Sequence, residues 1–118
     1  MEDRCPAREA TMDRERRRTP RYMFFASAEL LEEKSEVLVK SRVSELSRYG
    51  CYLDMMNPFP VNTHIRLKIW REEDQIIQTK GRIIYSQPNM GAGVAFFDME
   101  EKYLAILDGW LEKAAKES

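Results

Sequence analysis

Apolar and polar positions alternate along most of this chain with a period of two, and that period sets out its elements. The first strand is read from about Tyr22 to Leu31, with Glu32-Glu33-Lys34-Ser35 turning it. The second covers about Glu36 to Glu45, with Val37, Val39 and Val43 on one face and Lys40 and Arg42 on the other, as in a sheet with one wet face. A short third strand, about Cys51 to Met55, ends at Asn57-Pro58-Phe59-Pro60. The fourth, about His64 to Arg71, sets Ile65, Leu67 and Ile69 against Arg66 and Lys68, and Glu72-Glu73-Asp74 leads back as a tight hairpin. The fifth runs from about Gln75 to Tyr85 and turns at Gln87-Pro88-Asn89, and the sixth is Gly93 to Phe97. After Phe97 the period changes: Tyr103, Leu107, Trp110 and Leu111 share one helical face. An amphipathic helix is therefore expected over about Met99 to Lys116, opened by an Asp98–Glu101 capping box. Gly109 inside it costs about 1 kcal/mol relative to alanine, which close packing on the sheet would offset.

Six antiparallel strands in so short a span would leave exposed edges in an open sheet, and closure removes them. The expected fold is all-β with one C-terminal helix, a six-stranded antiparallel β-barrel. The expected organisation is a flexible basic N-terminal arm over residues 1–21, the barrel over 22–98, and an amphipathic helix over 99–118 packing on the barrel. The arm is expected to lack fixed structure, because it has almost no large apolar side chains before Tyr22.

Composition narrows the functional classes. The 118 residues suit one hydrophobic core, with 43% hydrophobic and 33% charged positions. A net charge of -1 excludes a wholesale polyanion binder, so any anion site must be local. The start lacks a signal-peptide core, and no run approaches the roughly 18 apolar residues of a membrane span. No membrane insertion is expected. Cys5 and Cys51 have neither metal nor redox spacing, and a reduced cytoplasmic setting is the simplest reading. His64 has no partner at ligand spacing. No nucleophile elbow, phosphate loop or dinucleotide fingerprint is present, so no enzymatic activity and neither metal nor cofactor are expected.

The chemistry concentrates in two places. Arg14, Arg16, Arg17, Arg18 and Arg21 crowd the arm, and Glu45-Leu46-Ser47-Arg48-Tyr49-Gly50 links two strands. Pro20 stiffens the joint between arm and first strand, which holds Arg17 to Arg21 at the barrel mouth. Guanidinium forks suit phosphates or guanine O6 and N7, and the Glu45 carboxylate suits guanine N1–H and N2–H. Ser47 would offer its hydroxyl to a phosphate, and Gly50 would let the backbone pass close to a ligand. Each signal alone has a plainer reading, as a solubilising arm or an ordinary strand-to-strand turn.

Together these residues resemble the PilZ domains, bacterial receptors for the second messenger cyclic di-GMP. The family pattern is Arg-x-x-x-Arg followed, a strand pair later, by Asp/Asn-x-Ser-x-x-Gly. Arg17-Arg18-Thr19-Pro20-Arg21 matches the first part, with Tyr22 also typical, and Ser47 and Gly50 match the second. Gly91-Ala92-Gly93-Val94-Ala95-Phe96 is similar to the family's last-strand signature. Glu45 departs from the pattern, standing where the family has aspartate or asparagine, with the charge kept and one methylene added. The resemblance implies cyclic di-GMP as ligand and Arg17, Arg21, Glu45, Ser47 and Gly50 as its contacts. It further implies that Arg16, a basic residue just before the motif, accompanies binding of a stacked, intercalated ligand dimer. Ordering of the arm would then signal to a downstream protein whose identity the sequence does not disclose.

Two other readings remain. A PilZ-fold protein-protein adaptor that has lost the nucleotide is favoured by Glu45 and opposed by the intact arginine pair. A single-stranded nucleic-acid module would use Phe24, Phe25 and Tyr49 as platforms. The acidic balance and the absence of a basic, aromatic-rich strand face oppose it, so neither DNA nor RNA is expected as a partner.

Overall fold

A computed structural model of the chain describes residues 20–72 and 75–117. Its elements are β1 (Tyr22–Glu32), β2 (Leu38–Leu46), β3 (Gly50–Asp54), β4 (His64–Glu72), β5 (Gln75–Gln87), β6 (Gly91–Phe97) and a C-terminal helix (Glu101–Glu117). All strand pairs are antiparallel, and the strands close into a barrel in the order β1-β2-β3-β6-β5-β4. The expected fold class holds. Residues 1–19, with most of the expected arm and both Arg16 and Arg17, lie outside the described residues, as do Glu73 and Asp74 of the β4–β5 hairpin.

Period two fills the barrel. Phe24, Ala26, Ala28 and Leu30 of β1, Ile65, Leu67 and Ile69 of β4, and Ile77, Thr79 and Ile83 of β5 all point inward and are buried. The β1–β2 turn is closed by Glu32, whose carboxylate accepts hydrogen bonds from the backbone N–H of Lys34 (3.0 Å) and Ser35 (3.2 Å). The Ser35 hydroxyl and then the Lys34 N–H hold that carboxyl below its ordinary range. Val37 falls in this turn region and is exposed, so the core face of the second strand begins later than the alternation suggests. The last strand starts two residues earlier than expected, at Gly91.

The helix covers the barrel end at which β1 begins and β4 ends. β1 and β4 pair only from Ser27–Trp70 to Glu32–Ile65. Beyond that seam Phe24 packs against Trp110 of the helix, with ring centroids 5.2 Å apart, and the Arg71 guanidinium lies 4.5 Å from the Phe24 centroid. The Trp110 indole N–H donates to Gln75 Oε1 at 2.9 Å. Leu107, Trp110 and Ala114 are the buried positions, and Tyr103 and Leu111 are half-buried against the same core. Two expectations about this helix need correcting. Asp98 does not open it: it sits at φ 56° in the preceding bend, and the first helical N–H groups, of Tyr103 and Leu104, donate to the Glu100 carbonyl. Gly109 is not a close-packing position, because a Cβ there would meet nothing within 4 Å.

Candidate functional site

The β1–β2 ladder sets Tyr22 opposite Leu46 and Met23 opposite Glu45. Arg21, one residue before β1, thereby comes beside Glu45, with Nη1 3.9 Å from Oε1 and both side chains about half exposed (56% and 47%). Two residues 24 apart in sequence thus form an exposed ion pair, a contact worth at most about 1 kcal/mol.

The turn after Glu45 is held from inside. The Ser47 N–H donates to the Gly50 carbonyl (2.9 Å), the Ser47 hydroxyl donates to the same oxygen (3.2 Å), and the Tyr49 N–H donates to that hydroxyl (3.3 Å). Ser47 is buried, and its hydroxyl is engaged within the turn. The Phe96 N–H, donating to the Tyr49 carbonyl at 2.9 Å, ties the turn to the end of β6. Gly50 is required here for a reason that turn chemistry alone does not supply. It pairs with Ala95, and a Cβ on it would overlap the Val94 carbonyl oxygen of the neighbouring strand.

The pairing also assembles residues that sequence reasoning missed. Glu45 is opposite Tyr52, Tyr52 is opposite Gly93, and Gly93 is opposite Tyr85, so one row crosses the outer face from β2 to β5. Gly93 leaves a gap between the two phenols, whose ring centroids are 6.4 Å apart, and a side chain there would crowd the Tyr85 Cβ at 3.3 Å. Partial burial, followed by the neighbouring Tyr85, Asp54 and Glu45, raises the Tyr52 pKa above its ordinary value. The Tyr85 hydroxyl donates to the Gln87 side-chain carbonyl. A register shift in β5 between Ile83 and Tyr85 aims Tyr85 outward, and no simple alternation predicts it. Arg48 was missed as well: its Nη1 meets Asp108 Oδ1 of the helix at 3.1 Å, linking the turn to an element 60 residues on.

Arg21, Glu45, Ser47 and Gly50 are therefore brought together at one end of the barrel, and Arg16 and Arg17 lie outside the described residues. A family model for the PilZ domain matches residues 15–113. The chain belongs to the PilZ domain family. Its fold is similar to that of the PilZ domain with c-di-GMP of YcgR from Escherichia coli, with a TM-score of 0.66, 11% identity, and coverage of 86% of this chain and 93% of that one. The Bacillus subtilis inhibitor of motility MotI/DgrA is similar with a TM-score of 0.67 and 14% identity, over 87% of this chain and 53% of that one. The Borreliella burgdorferi PlzA protein in complex with c-di-GMP is similar with a TM-score of 0.60 and 12% identity, over 91% of this chain and 50% of that one. This PilZ chain thus spans about half the length of the latter two. No curated protein matches it.

Among the described residues, no group of three or more His, Cys, Asp or Glu side chains is placed to hold a metal ion, and no helix is long and apolar enough to cross a membrane. Cys51 is buried, which pushes its thiol pKa far up and keeps it protonated at neutral pH.

Proposed function

We propose that this PilZ domain is a cytoplasmic, non-enzymatic receptor for cyclic di-GMP, with Arg17, Arg21, Glu45, Ser47 and Gly50 as its contacts and Arg16 as an auxiliary. The observation that carries the reading is the Arg21–Glu45 pair at the head of the internally bonded Ser47–Gly50 turn. A ligand with phosphates and guanine edges offers a better partner to each member of that pair. A phosphate takes the guanidinium, and guanine N1–H and N2–H take the carboxylate. Opening an exposed ion pair costs little, so the exchange favours the ligand. The Ser47 bonds keep the turn in place while this happens, which makes Ser47 a positioning residue first and a phosphate contact second.

Coupled ordering is the proposed output. The arm, residues 1–21, closes over the barrel, residues 22–98, when the ligand bridges the arginines to the turn. Arg48, paired with Asp108, links that turn to the C-terminal helix, Glu101–Glu117. The ordered arm then presents a surface to a downstream protein. The c-di-GMP complexes of the similar E. coli and B. burgdorferi structures support the ligand class.

Isothermal titration with cyclic di-GMP tests the reading. Saturable heat that vanishes in an Arg17→Ala/Arg21→Ala double variant is the expected result, and saturation at two ligands per chain would support the intercalated dimer. Undiminished affinity in the double variant would sink the mechanism. Glu45 keeps a second reading alive, the protein-protein adaptor, because its longer side chain is already engaged by Arg21. No heat up to about 100 µM ligand would favour that adaptor.

A further inference from the structure

The outer face of β4 and β5 is a separate feature with its own chemistry. Burial of Ile65, Leu67 and Ile69 on β4, and of Ile77, Thr79 and Ile83 on β5, drives the intervening residues outward. The register then sets His64 opposite Arg82, Arg66 opposite Lys80, and Lys68 opposite Gln78. Arg66, Lys68, Lys80 and Arg82 therefore form a compact block of positive charge on a chain whose net charge is -1. The face is basic without being aromatic-rich, with Trp70 as the one large aromatic residue along β4.

Like charges placed directly opposite each other across two strands are destabilising. Relief is partial: among the described residues Arg66 has an ion pair with Glu33 at 3.9 Å and Lys68 stands opposite Glu29 of β1, whereas Lys80 and Arg82 have no ion pair. A groove of about 370 Å³ runs beside it, combining Lys68 and Lys80 with apolar Leu31, Leu38 and Tyr103. Acidic groups bound the block. Glu29 is opposite Lys68 across the β1–β4 ladder, and Glu29, Asp98 and Glu100 all line the groove as well. A long phosphate backbone or an anionic bilayer would run onto those carboxylates. A short segment needs only a few carboxylates, set against Lys80 and Arg82, and an apolar side chain set against Leu31 and Leu38 in the groove.

We propose that the β4–β5 face docks a short acidic–apolar peptide segment of a partner protein. The site is distinct from the Arg21–Glu45 end, and the inference does not depend on cyclic di-GMP. Its test uses the full chain and fluorescence anisotropy with a fluorescein-labelled peptide of repeated Glu-Asp-Leu. Labelled oligothymidylate and phosphatidylglycerol vesicles serve as competing probes, and Lys80→Glu is the diagnostic variant. The wild type binds the peptide more tightly than either competitor, and the affinity falls as salt rises. Lys80→Glu weakens peptide binding about tenfold or more, because a like charge now faces the ligand. The same substitution gives Arg66 an opposite charge across the ladder, so the melting temperature rises by about 1–4 °C. A variant that binds unchanged, a lowered melting temperature, an oligonucleotide or vesicle that binds as well as the peptide, or a wild type that ignores the peptide would each overturn the proposal.

Discussion

The Glu45–Gly50 turn and the β4–β5 face lie on the same barrel but are built in opposite ways. The turn is made by exclusion and internal bonding. Gly50 sits where no side chain fits, and the buried Ser47 hydroxyl is committed to its own loop. The face is made by alternation alone: each cation is outward because its neighbours are inward, and no internal contact depends on Lys80 or Arg82. A region of the first kind is rigid and intolerant of change. A region of the second kind is tolerant, and its residues are free to answer to something outside the chain.

Substitutions separate the two. Gly50→Ala puts a methyl into the Val94 carbonyl and is expected to cost about 1–3 kcal/mol in chemical denaturation. A variant as stable as wild type would show that the strands separate there easily. Ser47→Ala removes the bonds to the Gly50 carbonyl and from the Tyr49 N–H, costing about 1 kcal/mol and weakening nucleotide binding through a loosened turn. Wild-type stability with lost binding would instead make Ser47 a direct contact. Lys80→Glu moves stability the other way, upward by about 0.2–1 kcal/mol in the same denaturation assay. Arg48→Ala is the mildest, breaking an exposed pair with Asp108 and leaving stability within error of wild type. If the turn is coupled to the helix, hydrogen exchange in the helix nevertheless rises in that variant.

The barrel was legible because period two runs almost unbroken from Tyr22 to Phe97, and the change of period after Asp98 marked the helix. Element ends were less legible. Val37 continues an alternation that the Glu32 turn interrupts, and Asp98 carries capping chemistry but takes a left-handed bend instead. The site divides in the same manner. Ser47 and Gly50 stood out by residue type, whereas the row Glu45–Tyr52–Gly93–Tyr85 depends on three strand pairings and a register shift. The basic block was half visible in Arg66 and Lys68. Its other half needed the β4–β5 register to bring Lys80 opposite Arg66.

The proposed grip on cyclic di-GMP at the arm end of this PilZ barrel is an exchange of the Arg21–Glu45 pair for phosphate and guanine. A single calorimetric comparison of wild type with Arg21→Ala tests it most directly. Saturable heat is expected for the wild type and none for the variant at equal melting temperature. Equal affinities in the two proteins, or a wild type silent up to about 100 µM ligand, would contradict it.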